Sequence, residues 1–299
     1  MVKKVFAITG ATGNIGSKLT KRLLAEGHEV RAIARGTRKL KELEAEGAEV
    51  HTGSLSNTAF LAEAFKGAHG VFAMIPPDYR TEDMLTQQRT IADSEVEALK
   101  KSDVRQVVGL SSFGAHHEKG TGPIAGLHYF ERRLSDLSGV DVVCLRAGFF
   151  MENFLQNIGL IKSAGMNGSA LAPDLAVPMI ATKDIAAAAA EHLIRADFIG
   201  RSVHYLLGPR DATPAEATRV LGRAIGKPEL SYVRFSYDET RKALIDAGFS
   251  QNAADELVEM YHAGNEGLLR PTEPRSEKNT TPTTLEEWSG TFAAAFAAE

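Results

Sequence analysis

A single cysteine, Cys144, stands in a chain of 299 residues. One thiol closes no internal disulfide and builds no cysteine-based zinc cage, so packing must hold the fold. An excess of one charge is lacking too: 34 Lys and Arg against 38 Asp and Glu leave a formal net charge of −4. Gripping nucleic acid or an anionic membrane needs a basic face, and this balance speaks against both as partners. No apolar stretch reaches the roughly 20 residues of a membrane span. The opening Met1-Val2-Lys3-Lys4-Val5-Phe6-Ala7-Ile8 is basic and then apolar, but the apolar run is too short for a signal peptide. The expected location is the cytoplasm. Long linkers, repeats and low-complexity tracts are also missing. What is present is an ordinary globular composition, 43% hydrophobic and 24% charged, enough for one large domain or two unequal ones.

The first half alternates short apolar runs with amphipathic stretches. Strands are expected at Lys4–Thr9, Glu29–Arg35, Glu49–Thr52, Gly70–Ile75, Gln106–Leu110 and Asp141–Arg146. Their nearly continuous hydrophobicity fits strands covered on both faces. Helices are expected between them, at Asn14–Glu26, Arg38–Glu46, Asn57–Phe65, Thr81–Ser102 and Ala125–Ser138. Gly27, Gly47, Gly67 and Gly139 supply the helix stops. This alternation reads as an α/β fold, a Rossmann-type doubly wound parallel sheet over residues 1–150. After residue 150 the rhythm changes. Helices are expected at Glu152–Ser163, Lys183–Ile194, Pro214–Ile225, Tyr237–Ala247, Asn252–His262 and Leu285–Ala298, with short strands at Ser202–Leu207 and Ser231–Phe235. Residues 151–299 therefore read as a smaller mixed α/β lobe that binds substrate and packs back on the sheet.

The first strand runs into Thr9-Gly10-Ala11-Thr12-Gly13-Asn14-Ile15-Gly16. Glycines at this spacing carry weight because a strand precedes them and a helix follows. Gly10 permits the tight turn, Gly13 lets backbone amides approach a pyrophosphate, and Gly16 lets the helix pack on the sheet. The helix N-terminus adds free N–H groups and partial positive charge. A dinucleotide site is the expectation. An acid at the end of the second strand would favour NAD, but Arg35 stands there, and residues 31–41 hold no acid. Arg35 and Arg38 suit a 2′-phosphate, which their guanidinium forks match. NADP(H) is thus the preferred cofactor, with NAD(H) possible. A single nucleotide loop gives no reason to invoke a flavin and does not exclude one.

These stretches resemble the NmrA-like branch of the atypical short-chain dehydrogenase/reductases. The likeness rests on Ile8 to Gly16, Val30 to Arg35, Leu110-Ser111-Ser112-Phe113-Gly114-Ala115, Leu145 to Phe154, Asp184-Ile185-Ala186 and Thr283 to Trp288, and so spans nearly the whole chain. Within the branch the chain looks most like NAD(P)H-dependent quinone reductases and triphenylmethane-dye or azo-dye reductases. The resemblance implies that Met74, Ile75 and Pro76 pass beside the cofactor. It places Ser111, Ser112 and the Gly148-Phe149-Phe150 turn near the nicotinamide. Two departures stand out: Ala147 replaces the usual proline, and Ser54 stands where relatives often carry an acid.

No tyrosine has lysine four residues on; Tyr129 is followed by Arg133 and Tyr237 by Arg241. The proton-donating Tyr–Lys pair of typical short-chain dehydrogenases is therefore missing, since arginine is no substitute. Aligning back from Ser138-Gly139-Val140 puts His128 where many relatives carry that lysine. His128 is the candidate for binding the nicotinamide ribose or moving a proton, and Tyr129 is a weaker one. Without the pair, the expected substrates are small conjugated acceptors that take hydride with little proton help: quinones, triphenylmethane dyes or azo dyes. Phe149, Phe150, Met151, Phe154 and Met179 can wall such a flat molecule. His116-His117-Glu118 is no complete ligand set, so no metal is implied. Gly120-Thr121-Gly122-Pro123 suggests a mobile segment over the site. The competing reading is a non-catalytic sensor of NADP(H) that acts through a protein partner, as some members of the branch do. Either monomer or homodimer is compatible with the sequence.

Overall fold

The computed structural model describes residues 2–36 and 38–298. Its first half runs β1 Val5–Thr9, α1 Gly16–Ala25, β2 Glu29–Ala34, α2 Arg38–Ala45, β3 Glu49–Thr52, α3 Thr58–Phe65, β4 Gly70–Ala73, α4 Met84–Lys100, β5 Gln106–Ser112, α5 Ile124–Ser135 and β6 Asp141–Ala147. The second half opens with β7 Phe149–Phe150 and a 3₁₀ turn at Met151–Asn157, then α6 Ile158–Ala164, β8 Met166–Ser169, β9 Val177–Ile180 and α7 Thr182–Arg195. It ends with β10 Arg201–Leu206, β11 Asp211–Ala212, α8 Pro214–Ala224, β12 Ser231–Arg234, α9 Tyr237–Asp246, α10 Gln251–Asn265 and α11 Leu285–Ala298.

Seven strands form one parallel sheet in the order β10-β6-β5-β4-β1-β2-β3. Strand side chains alternate between two cores, as a pleated strand requires. Phe6, Ile8, Phe72 and Val108 face α1, α2 and α7, while Ala7, Val71, Ala73 and Val107 face α3, α4 and α5. A third core, around Met151, Phe154, Met179, Trp288 and Phe292, holds the C-terminal lobe together. The order reverses between β1 and β4, and in such sheets ligands settle at that switch point, beyond the carboxyl ends of the strands.

The second half is threaded through the first. Its β10 extends the main sheet beside β6, and its α7 packs against the same face as α1. Two short sheets complete the lobe: β11-β9-β7, and β12 paired with β8. The strands β7, β8, β9 and β11, two to four residues each, lie outside the expected set. So does the 3₁₀ turn, which replaces the first half of the helix expected from Glu152. Helix α4 starts at Met84, not Thr81, because the Asp83 carboxylate caps it by accepting from the Thr86 amide at 2.9 Å. No helix among the described residues is long and apolar enough to cross a membrane.

Candidate functional site: a groove and a chamber

At the end of β1 the Thr9 hydroxyl donates to the Phe72 carbonyl (3.2 Å) and accepts from the Met74 amide (3.0 Å). The chain then turns at Gly10, which has φ +64° and whose missing Cβ would lie 2.6 Å from the Met74 sulfur. A Cβ on Gly16 would fall 2.3 Å from the Gly10 carbonyl oxygen. These two glycines close the loop on itself and bring the start of α1 against it. No side chain caps α1, and its first turn holds no acid. The amides of Asn14, Ile15 and Gly16 find no acceptor among the described residues. Free amides at an uncapped helix end form a cradle for an anionic group. They open on a groove of about 580 Å³.

The groove gathers most residues expected at a cofactor: Gly10, Thr12, Gly13, Asn14, Ile15, Gly16, Arg35, Met74, Pro76 and Phe150. Arg35 stands at its rim with the side chain 61% exposed, and its nearest carboxylate is Asp78 at 3.9 Å. So long and exposed a pair is easily exchanged for a phosphate. Arg38 is also exposed, at the first turn of α2, and does not line the groove. The donor set, the glycine turn and the open helix end together fit a dinucleotide phosphate.

Beside the groove lies a chamber of about 280 Å³. Ile75, Ser111, Ser112, Gly148 and Phe149 line it, and Met74, Leu110, Phe150, Pro77, Tyr79 and Asn153 belong to both spaces. Gly148 makes a close approach: a Cβ there would lie 2.4 Å from the Pro178 carbonyl oxygen. Motif reading missed much of the wall, including Met84 and Gln88 from α4, Ile124 and Leu127 from α5, Leu171, Leu175, and Leu257, Met260, Tyr261 and Gly264 from α10. The α10 residues fall at i, i+3, i+4 and i+7, one helical face. That spacing was visible in the sequence; what it faced was not. Phe154 and Met179 line a smaller neighbouring cavity of about 110 Å³, and Met151 is buried in the lobe core without lining any of these spaces.

The roof made by α10 is tied to the β4–α4 loop. The Ser250 amide donates to the Tyr79 carbonyl (2.8 Å), and the Met84 amide donates to the Asn252 side-chain oxygen (2.8 Å). The Tyr79 and Phe249 rings stack with centroids 4.6 Å apart. The segment Gly120 to Pro123 is no loose flap: Thr121 is fully buried, and a Cβ on Gly122 would lie 2.0 Å from the Glu256 carbonyl oxygen. Tight packing against α10 replaces the expected mobility.

His128 lines neither the groove nor the chamber; its Nδ1–H donates to the Ala115 carbonyl at 2.9 Å. Leu127 takes the chamber side. Successive helix residues point about 100° apart, so the two side chains face different ways. Tyr129 is a surface brace between α4 and α5, donating to Asp93 at 2.9 Å. The Ser111 hydroxyl donates to Glu131 (2.5 Å), which Arg146 grips through two bonds of 2.9 and 2.6 Å. Beneath the junction of the two spaces lies Glu95, fully buried beside the Thr9 hydroxyl and the Met74 amide, which turn instead to the Phe72 carbonyl and to Thr9. Burial pushes its carboxyl up to about 8. No three His, Cys, Asp or Glu side chains among the described residues form a metal-ligand group.

A glycine-turned helix end at the switch point of a parallel sheet, opening beside an apolar chamber, defines a Rossmann-type protein of the dehydrogenase/reductase kind. More particularly, the chain belongs to the NmrA-like family, whose model matches residues 2–289. It is similar to the NAD(P)H azoreductase of Xenophilus azovorans, 26% identical over 254 residues, 85% of each chain. A solved NADPH-dependent quinone oxidoreductase of Escherichia coli, complexed with NADPH, is 25% identical. Its similarity covers 96% of this chain and 99% of that one, with a TM-score of 0.77. The triphenylmethane reductase of Citrobacter sp., solved with NADP(H), shares the fold at 22% identity, 96% and 99% coverage and a TM-score of 0.78.

Proposed function

We propose that the protein is an NADPH-preferring reductase that delivers hydride to a small conjugated acceptor held in the chamber. The observation that carries this reading is the shared wall. Met74, Leu110 and Phe150 border groove and chamber alike, so ligands in the two spaces meet there. A sensor that only reads the nucleotide has no use for a second apolar space against the first.

When bound, the nicotinamide supplies the hydride. The chain's own residues bind and exclude. The Asn14 to Gly16 amides hold the diphosphate. Arg35 releases Asp78 to take the 2′-phosphate. Phe149, Phe150 and Leu127 keep water out of the chamber and confine a flat ring against the junction. No charged acid or histidine lines the chamber, so the reading favours acceptors that are already electron-poor, quinones foremost. The relatives named above act on quinone, azo or triphenylmethane compounds by their names, which supports this class.

The test is NADPH oxidation against quinones, triphenylmethane dyes and azo dyes, with NADH in parallel and no added flavin. Turnover with NADPH preferred is the expected result. Arg35→Ala should then weaken NADPH about tenfold and leave NADH nearly unchanged. Tight dinucleotide binding with no turnover on any acceptor would defeat the reductase reading and favour the sensor.

A further inference from the structure

Four of the six tyrosines have their hydroxyls engaged by the protein. Tyr129 bonds Asp93, Tyr205 bonds Arg146 and Thr272, Tyr232 bonds the Leu171 carbonyl, and Tyr237 accepts from Asn265. The two that remain are Tyr79 and Tyr261, and both line the chamber. Neither phenol makes a hydrogen bond among the described residues. Tyr79 and Tyr261 are both half-buried, and both also line the neighbouring cavity of about 110 Å³, so they stand where the two apolar spaces adjoin. Phenols find partners when buried. Two left open on one apolar space point to a ligand that completes them.

The wall also limits which ligand. Among its 25 lining residues there is no Asp, Glu, Lys, Arg or His. A cationic triarylmethane or a sulfonated azo compound would bring a charge into an apolar space that offers no counter-ion, which is strongly unfavourable. A volume of about 280 Å³ also lies just under the roughly 300–1,000 Å³ usual for drug-sized ligands. One or two fused rings suit it better than three splayed ones.

We propose that Tyr261 is a substrate-binding residue: its hydroxyl donates a hydrogen bond to a carbonyl oxygen of a neutral, flat acceptor of one or two rings, with Tyr79 as a second donor. The proposal rests on the reductase reading and narrows its substrate to quinone-like carbonyl compounds. In the reaction a quinone gains two electrons and one proton as hydride while NADPH becomes NADP⁺. The second proton comes from water. Negative charge grows on the quinone oxygen, and a hydrogen bond to a charged oxygen is stronger than one to a neutral oxygen. Burial pushes the Tyr261 phenol up to about 12 and raises that of Tyr79, so both remain donors and keep their protons.

The experiment is equilibrium dialysis of 2-methyl-1,4-naphthoquinone against the NADP⁺-loaded protein, where no reductant is present and binding is read without turnover. Tyr261→Phe preserves shape and removes only the hydroxyl. It should weaken naphthoquinone binding about fivefold and leave NADP⁺ affinity unchanged, with Tyr79→Phe showing a smaller loss. Crystal violet, a cationic dye, should bind the wild type at least about tenfold more weakly than the quinone. Equal quinone affinity in wild type and Tyr261→Phe, or no quinone binding to the wild type, overturns the assignment. A dye that binds better than the quinone overturns the restriction to neutral acceptors. Tyr261-dependent quinone binding without NADPH oxidation would instead sink the reductase reading and leave this one standing.

Discussion

The groove and the chamber share a border but are built in opposite ways. One run of seven residues, Gly10 to Gly16, makes the working part of the groove, and it works through backbone amides and missing Cβ atoms. The chamber draws its wall from β5, β7, α4, α5, α10 and the loops between, and works through side chains. The groove therefore tolerates changes of side-chain chemistry but not an added atom at its glycines. The chamber tolerates small volume changes but registers every change in polarity.

The sharpest way to break that contrast is Gly16→Ala. One methyl would press on the Gly10 carbonyl at 2.3 Å, with no flexible side chain to yield. NADPH affinity should fall at least roughly a hundredfold in a fluorescence titration. Gly13→Ala, whose Cβ would meet the same oxygen at 3.3 Å, should leave the fold and melting temperature nearly unchanged, so any affinity it loses reports the approach of the pyrophosphate. Unchanged affinity in Gly13→Ala would mean that Gly13 does not act through close approach. Chamber variants such as Tyr261→Phe should leave this affinity alone.

A mid-sized effect is expected at the border, from Glu95→Gln. In the folded chain the Glu95 carboxyl stays protonated up to about 8, whereas unfolded it ionises near 4.5. Between those values the native state holds the extra proton, so this residue lowers wild-type stability as pH rises, by about 1.4 kcal/mol per pH unit. Above pH 8 the loss levels off. Urea unfolding at pH 5 and pH 8 should show Glu95→Gln gaining on the wild type across that window. A constant difference would show that Glu95 is not held neutral. The smallest effect belongs to His128→Ala. Removing its bond to Ala115 should lower the melting temperature by a few degrees, with less than about a twofold change in kcat or KM. A tenfold loss of turnover would return His128 to the reacting centre.

The same contrast explains what could be read from the sequence. The groove was legible because its geometry is local: strand, glycine turn and helix follow one another within a dozen residues. The strands of the main sheet were legible because burial on both faces leaves continuous apolar runs. The chamber was legible only where a family landmark crossed it, at Met74-Ile75, Ser111-Ser112 and Gly148-Phe149-Phe150. Tyr79, Gln88 and Tyr261 carry no motif, and only tertiary packing brings α10 over α4 and α5. Strands β7, β8, β9 and β11 are too short to show a period. At α5 the sequence pointed to His128, whereas Leu127 lines the chamber; which side of a helix meets a cavity is set by packing that the sequence does not show.

The tie between α10 and the β4–α4 loop gives the molecule a mechanical property. Tyr79 stands on the rim of both spaces, and its carbonyl and ring are both fastened to the segment that leads into α10. Lifting the roof by parting α10 from that loop means unstacking Tyr79 from Phe249 and breaking the Ser250 and Asn252 bonds in one movement. With those ties intact, α10 cannot shift without carrying the groove's edge along. Roof and rim are thus one plate, and a guest that pushes on the roof pushes on the seat of its neighbour.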